Sequence, residues 1–223
     1  MAALLAAGLL SKENAVVLPG LMLLGDLWRV RRGETSWRRV APAYVACGVL
    51  IAAWLIARAV LLVPYPPGSI YEGPFAAVPA ADRIRTALEV MGRYLWILVR
   101  PLHLSADYSF EQIPIITSWS NPPALISAAI LLLVTLIAIR RLAAGASPRA
   151  DGLCLLVFLV AVAPASNLLL PIGTIMGERL LYLPSVGFCL LLPALWDSIR
   201  RAAPAALGAR GLGAALACVL AAL

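Results

Sequence analysis

Charge is scarce in this chain. Asp, Glu, Lys and Arg together make up 13% of its 223 residues. A soluble fold needs a charged surface, and at 62% hydrophobic residues this chain has too little interior to hide the rest. That excludes a soluble globular enzyme, and it equally excludes a disordered chain. Lysine is almost missing: Lys12 stands alone among eighteen basic residues, the others being Arg. The net charge of +7 would suit nucleic acid, but the basic residues sit in short clusters between apolar runs, so a nucleic-acid-binding module is excluded too. Histidine occurs once, at His103. Cys47, Cys154, Cys189 and Cys218 are scattered singly, with no CxxC pair. No metal site and no cofactor is therefore read, and the thiols are expected to be buried and inert.

What the chain has instead is long apolar runs. At 1.5 Å per residue, about 17–25 residues cross the hydrocarbon core of a bilayer. Residues 40–63, 122–139, 152–171 and 180–196 qualify, with Arg58 the one charge among them. Residues 14–28 are marginal. Residues 211–223 read as the first part of another span, and residues 1–10 are apolar but short for a signal sequence. Both ends read as cuts, so the expectation is a single membrane domain over residues 1–223, taken from a longer protein.

Arginine sets the orientation. Residues 28–39 carry five Arg, residues 140–149 three and residues 200–210 three more, so eleven of the eighteen basic residues lie in three short loops. These loops should be cytoplasmic. Alternation then places residues 64–121 outside or at the outer surface. Within them, residues 81–99 show Ile84, Leu88, Met91, Leu95 and Leu98 at helical spacing, with Arg85, Glu89 and Arg93 on another face. This pattern predicts an amphipathic helix at the outer interface, with a tilted or re-entrant helix as the competing arrangement. The fold class expected is all-α: a polytopic transmembrane helical bundle with an outer interfacial amphipathic helix.

The outer side holds the polar chemistry. Seven of the eleven acids fall there: Glu13, Glu72, Asp82, Glu89, Asp107, Glu111 and Glu178. Either they form a site or they belong to ordinary polar loops. Glu178-Arg179 is the sharpest local feature, at the outer mouth of an otherwise uncharged run, with Tyr182 one turn further in. Ionisable groups at that depth are costly and are usually paired. The pair is either a structural cap or an Arg fork for an anionic headgroup, with Glu178 orienting it or meeting a hydroxyl. Lys12-Glu13 repeats the theme, as a turn or as a second cation for the same phosphate. Asp107, followed by Tyr108, is a base or acceptor contact, or else a turn-forming residue. His103 reads as a hydrogen-bonded interfacial residue. Arg58, six residues before Pro64, should snorkel to the outer interface.

Three stretches carry a resemblance: LLSKENAVVLPGLMLLGDL (9–27), RPLHLSADYSFEQIPII (100–116) and APASNLLLPIGTIMGERLLYLPSVGFCLL (163–191). Together they resemble the transmembrane and tetratricopeptide-repeat-containing protein O-mannosyltransferases, in a bacterial version. The resemblance implies a GT-C-type glycosyltransferase in a bacterial inner (plasma) membrane. Such enzymes take a sugar from a polyprenyl-phosphate-linked donor at the outer face and pass it to Ser or Thr of a protein acceptor. It further implies that a first outer loop with the main catalytic acid, and C-terminal repeats, lie beyond these residues, so that the fragment alone should be inactive. On that reading Arg179 and Lys12 hold the donor phosphate. Glu178 and Asp107 are the catalytic candidates, and Glu13, Tyr182, Tyr108 and His103 support them. A lipid-linked-sugar transporter or flippase and a non-catalytic membrane scaffold are the alternatives. A transporter wants polar residues deep in several spans, and here only Ser166 and Asn167 qualify.

Overall fold

A computed structural model describes residues 1–62, Phe75, 78–102, 104–105, Tyr108, 112–143, 150–169, 171–172 and 174–202. Seven α-helices account for most of these: α1 (Ala2–Ser11), α2 (Leu18–Arg31), α3 (Trp37–Leu62), α4 (Ala80–Val99), α5 (Pro122–Ala143), α6 (Ala150–Val162) and α7 (Tyr182–Ala202). Short 3₁₀ turns at Glu13–Val17, Ala163–Ala165 and Glu178–Leu181 join or extend them.

Local signals explain the ends of α5. Pro122 and Pro123 open it, where a missing N–H costs nothing, and Asn121 Oδ1 accepts the Ala124 N–H at 3.0 Å. Arg140 and Arg141 close it, where positive charge suits the helix dipole. Asp151 opens α6: its Oδ1 accepts the Gly152 N–H at 2.9 Å and its Oδ2 pairs with Arg141 at 3.1 Å.

Helices α4 to α7 pack around one core, which includes Phe75, Val90, Met91, Tyr94, Phe158, Val162 and Met176. The approaches are close. A Cβ on Gly187 would stand 2.5 Å from the Phe158 backbone nitrogen, so α6 and α7 meet backbone to backbone there. Helices α1 and α3 build a smaller cluster on Leu5, Leu9 and Cys47, and α2 ties it to α6, where a Cβ on Gly20 would meet Val160 at 2.9 Å.

The two ends of the bundle are chemically distinct. At one end Arg31 bonds the Leu142 carbonyl and Arg141 pairs with Asp151, so the Arg-bearing ends of α2 and α5 lie together with the start of α6. At the other end Arg58 pairs with Glu13 and lies over the Trp54 ring, 5.5 Å from its centroid. The turn Glu13–Val17 packs there on Ala163–Ala165.

Among the described residues, three helices are long and apolar enough to cross a membrane: Trp37–Leu61, Pro122–Ala143 and Glu178–Asp197. Only 6% of the first and 17% of each of the others is buried within the protein. Apolar helices left bare in this way need lipid as their solvent. The chain is an all-α, multi-pass membrane protein.

Four expectations need revision. The run 152–171 is not one span. Its α-helix stops at Val162, tightens to a 3₁₀ turn through Pro164, and breaks at Asn167, whose φ of 57° is left-handed. Pro164 ends the helix by disfavouring helical geometry in the residue before it. Residues 14–28 divide likewise into a 3₁₀ turn and α2. Helix α4 forms where predicted, but of the Ile84–Leu98 series only Met91 is fully buried, with Leu95 and Leu98 partly so; the buried stripe is Thr86, Ala87, Val90, Met91 and Tyr94, because α5 and the 112–117 segment cover that side. Cys47 is buried as expected, but Cys189 is exposed on α7, and Cys218 lies outside the described residues.

Candidate functional site

The site is built by a loop that a single side chain holds. Asn167 is buried, and its left-handed backbone turns the chain out of the 3₁₀ segment. Its Nδ2 donates to the carbonyls of Thr174 (3.0 Å) and Ile175 (3.2 Å), and its Oδ1 accepts the Ile172 N–H at 2.8 Å. Ser166 Oγ donates to the Ala163 carbonyl at 2.7 Å and accepts the Leu168 N–H at 3.2 Å. The two polar residues of this run are thus spent on loop structure, not on a path through the membrane.

The loop delivers Gly177 to α4. Tyr94, fully buried, accepts the Gly177 N–H at 2.9 Å and lies 3.3 Å from its carbonyl. Burial pushes the Tyr94 phenol up to about 12, so it stays neutral and keeps its proton to donate. The next residue, Glu178, opens the 3₁₀ turn that leads into α7.

Glu178 Oε1 accepts two hydrogen bonds, from the Ser105 N–H at 2.6 Å and from the Tyr108 hydroxyl at 2.8 Å. Burial, and then the bond to Glu178, raise the Tyr108 phenol above its usual value, while the Arg93 charge opposes them. Tyr108 therefore keeps its proton and donates a hydrogen bond to the carboxylate. Beside them, Arg93 Nε and Nη2 bond Glu89 Oε1 at 3.0 and 2.6 Å.

A groove of about 660 Å³ starts at this polar cluster and runs between α4 and α5. Glu89, Arg93 and Tyr108 form its polar end. Trp96, Ile97, Pro123, Ile126, Ile130 and Met176 form its apolar walls. Gly92 lines it as well, where α4 comes closest to Ser127 of α5.

The structure brings together Glu178 and Tyr108 from the residues singled out in the sequence. Arg179 occupies the same turn, exposed, and close enough for its charge to act on Tyr94. Among the described residues no ion pair joins Arg179 to Glu178, whose carboxylate is engaged by Ser105 and Tyr108 instead. Tyr182 is 83% exposed at the start of α7 and stands outside the hydrogen-bonded cluster. Glu13 is committed to Arg58, and Lys12 is exposed beside it. Among the described residues no hydrogen bond or ion pair ties either to Glu178. His103 and Asp107 lie outside the described residues.

In the sequence Glu89 counts only as one of seven outer acids and, with Arg93, as part of a charged helix face, and Asn167 as a polar residue inside an apolar run, while nothing marks Tyr94. Their signal was weak, because a Glu and an Arg four apart on a helix look the same at a groove as in open water. Among the described residues, no three His, Cys, Asp or Glu side chains stand close enough to hold a metal ion.

Residues 69–135 match the family model described as protein O-mannosyl-transferase TMTC, DUF1736. That stretch holds α4, Tyr108 and the groove-lining part of α5. The mouse protein O-mannosyl-transferase TMTC3 is 31% identical over 130 residues, which is 58% of this chain and 14% of that relative. The Drosophila melanogaster protein O-mannosyl-transferase Tmtc3 is 26% identical over 181 residues, 77% of this chain and 19% of the relative. The human protein O-mannosyl-transferase TMTC4 is 36% identical over 99 residues, covering 44% and 13%. The chain thus spans less than a fifth of the length of these relatives. No solved structure matches it.

Proposed function

We propose that this chain, which is similar to the TMTC protein O-mannosyl-transferases, is a member of that family and forms part of the membrane domain of a polyprenyl-phosphate-sugar-dependent protein O-mannosyltransferase. It would act in a bacterial inner membrane, with the Glu178 end outside the cytoplasm. The observation that carries this reading is the cluster at one end of the bundle: the Glu178 carboxylate held by Tyr108, with the cations Arg179 and Arg93 close by.

The chemistry needs little more. The bond from sugar C1 to the lipid-phosphate oxygen breaks, and a bond from C1 to a Ser or Thr oxygen forms. Phosphate leaves without a proton, so the site must neutralise its charge and accept the proton of the hydroxyl. Arg179 takes the phosphate, with Lys12 assisting. Glu178 Oε1 is occupied, so its other oxygen meets a hydroxyl of sugar or acceptor. Two hydrogen bonds fix the Glu178 carboxylate in place, so it positions that hydroxyl. Asp107, next to Tyr108 in sequence, is the second carboxylate candidate. A transporter reading fares worse, since Ser166 and Asn167 serve the loop.

Mannose transfer from a polyprenyl-phosphate donor to a Ser/Thr peptide by the full-length protein tests the proposal. A charge-assisted contact is worth about 1.5–3 kcal/mol. Arg179→Ala should therefore lower donor affinity or turnover at least about tenfold, at an unchanged melting temperature. Arg179→Lys should rescue it in part, since it keeps the charge and loses the planar fork. Unchanged donor kinetics with a lowered melting temperature would make the residue structural and remove the phosphate role.

A further inference from the structure

The groove between α4 and α5 opens sideways. Its wall residues Trp96, Ile126 and Ile130 are 59%, 60% and 42% exposed. Two of them sit on α5, a helix long and apolar enough to span the membrane. Whatever enters along this wall therefore comes from the bilayer. An extended peptide is a poor occupant, because its backbone N–H and C=O groups would lie unpaired against an apolar wall facing lipid. A hydrocarbon chain has no such groups. At about 660 Å³ the groove has the size of a small-molecule site (about 300–1,000 Å³), enough for the part of a long lipid tail nearest its headgroup.

The polar end selects the charge of that headgroup. Glu89 is only 12% exposed, and its Oε1 is taken twice by Arg93. Arg93 is 42% exposed, and its third nitrogen, Nη1, enters neither of those bonds. Glu89 fixes the plane of the guanidinium, and the outward-facing charge is positive. A fixed planar fork suits phosphate oxygens better than a mobile ammonium would. Tyr108, kept neutral, closes the same end and leads to Glu178.

We propose that this groove is the seat of the polyprenyl phosphate: the first isoprene units lie on Trp96, Ile126 and Ile130, and Arg93, positioned by Glu89, meets the phosphate from the groove side and shares it with Arg179. This deepens the function proposed above and rests on it for the identity of the tail, but not for the site.

The test is direct binding. The full-length protein, in phosphatidylcholine nanodiscs, is photolabelled with a polyprenyl phosphate that carries a diazirine on an isoprene unit near the phosphate, and the labelled peptides are mapped. Label should concentrate on α4 and the first half of α5. It should be competed by unlabelled polyprenyl phosphate, and at least tenfold less well by polyprenol, phosphatidic acid or inorganic phosphate. Ile130→Trp and Ile126→Trp each fill the groove and should cut labelling at least fivefold, while Ile56→Trp, on the bare face of α3, should not. Arg93→Gln should reduce the preference for the phosphate over the alcohol while leaving tail labelling in place. Label spread evenly over α3 and α5, polyprenol competing as well as its phosphate, or normal labelling in both Trp variants would overturn the assignment. If Ile130→Trp misfolds, Ile126→Trp decides. Sugar transfer that persists in a folded Ile126→Trp protein would sink the groove and leave the transferase standing. Specific labelling without any sugar transfer would do the reverse.

Discussion

A single phenol ties the Glu178 turn to α4. Tyr94, fully buried, bonds both polar groups of Gly177, one residue before Glu178. Tyr94→Phe leaves the Gly177 N–H without its partner, at a cost of about 1–3 kcal/mol. A lower melting temperature in detergent should report it, and an unchanged one would show that the turn is held elsewhere. The same residue gives a pH dependence. Its folded value, about 12, lies above the ordinary 10, so the folded state holds a proton that the unfolded chain releases. Stability from this source is complete below pH 10 and is lost as pH rises from 10 through 12. Alkaline melting curves of wild type should fall more steeply over that window than those of Tyr94→Phe, with no difference in slope at neutral pH. Tyr108 shifts in the same direction, with burial the larger cause and Glu178 the next.

At the scale of elements, the contact between α4 and α5 depends on the absence of one side chain. A Cβ at Gly92 would fall 2.0 Å from Ser127 Oγ and 3.0 Å from Ser127 Cβ. Ser127 Oγ is itself bonded to the Pro123 carbonyl at 2.7 Å, so it cannot swing away freely. Gly92→Ala should therefore cost about 1–3 kcal/mol as overpacking. Gly25→Ala, on α2 with open space around it, should be neutral or stabilising by about 0.5–1 kcal/mol. Equal melting temperatures for the two variants would mean that α4 does not press on α5 as closely as these distances show. The helix itself was legible in sequence, since its apolar and charged positions recur every three or four residues. Its burial was not. Periodicity gives a face but not which part of it a neighbour covers, and α5 and residues 112–117 moved the buried stripe toward Thr86 and Tyr94.

At the scale of the molecule, the Arg-bearing ends of α2 and α5 form one end and the Glu178 cluster the other. Ser36 precedes α3 beside the Arg cluster, and Ser118 precedes α5; both are exposed. In a background with Cys47, Cys154, Cys189 and Cys218 replaced, Ser118→Cys should react with an impermeant maleimide added to intact cells, and Ser36→Cys only after permeabilisation. Both reacting from one side would overturn the arrangement, and reversed reactivity would invert it. Arginine counts alone predict this orientation. The Arg31 bond to Leu142 and the Arg141–Asp151 pair show that the Arg-bearing ends of α2 and α5 lie together, which counting could only assume.

Hydrophobicity and charge are properties of residues taken in order, so the sequence by itself determined what depends on order. It settled the all-α membrane class, the apolar runs that become α3 and α5, and the helix α4. Tertiary structure decided whatever depends on distance. Ser105 and Tyr108 meet Glu178 from 73 and 70 residues away, and no local pattern announces a partner so remote. The same holds for the groove, which exists only because Gly92 lets α4 close on α5. The early end of α6 is an intermediate case. Pro164 stands in plain view, but a run of apolar residues on both sides outweighed it in one dimension. In three, the left-handed turn at Asn167 then carries the chain out of the 3₁₀ segment, because its side chain finds three backbone partners in the loop beyond.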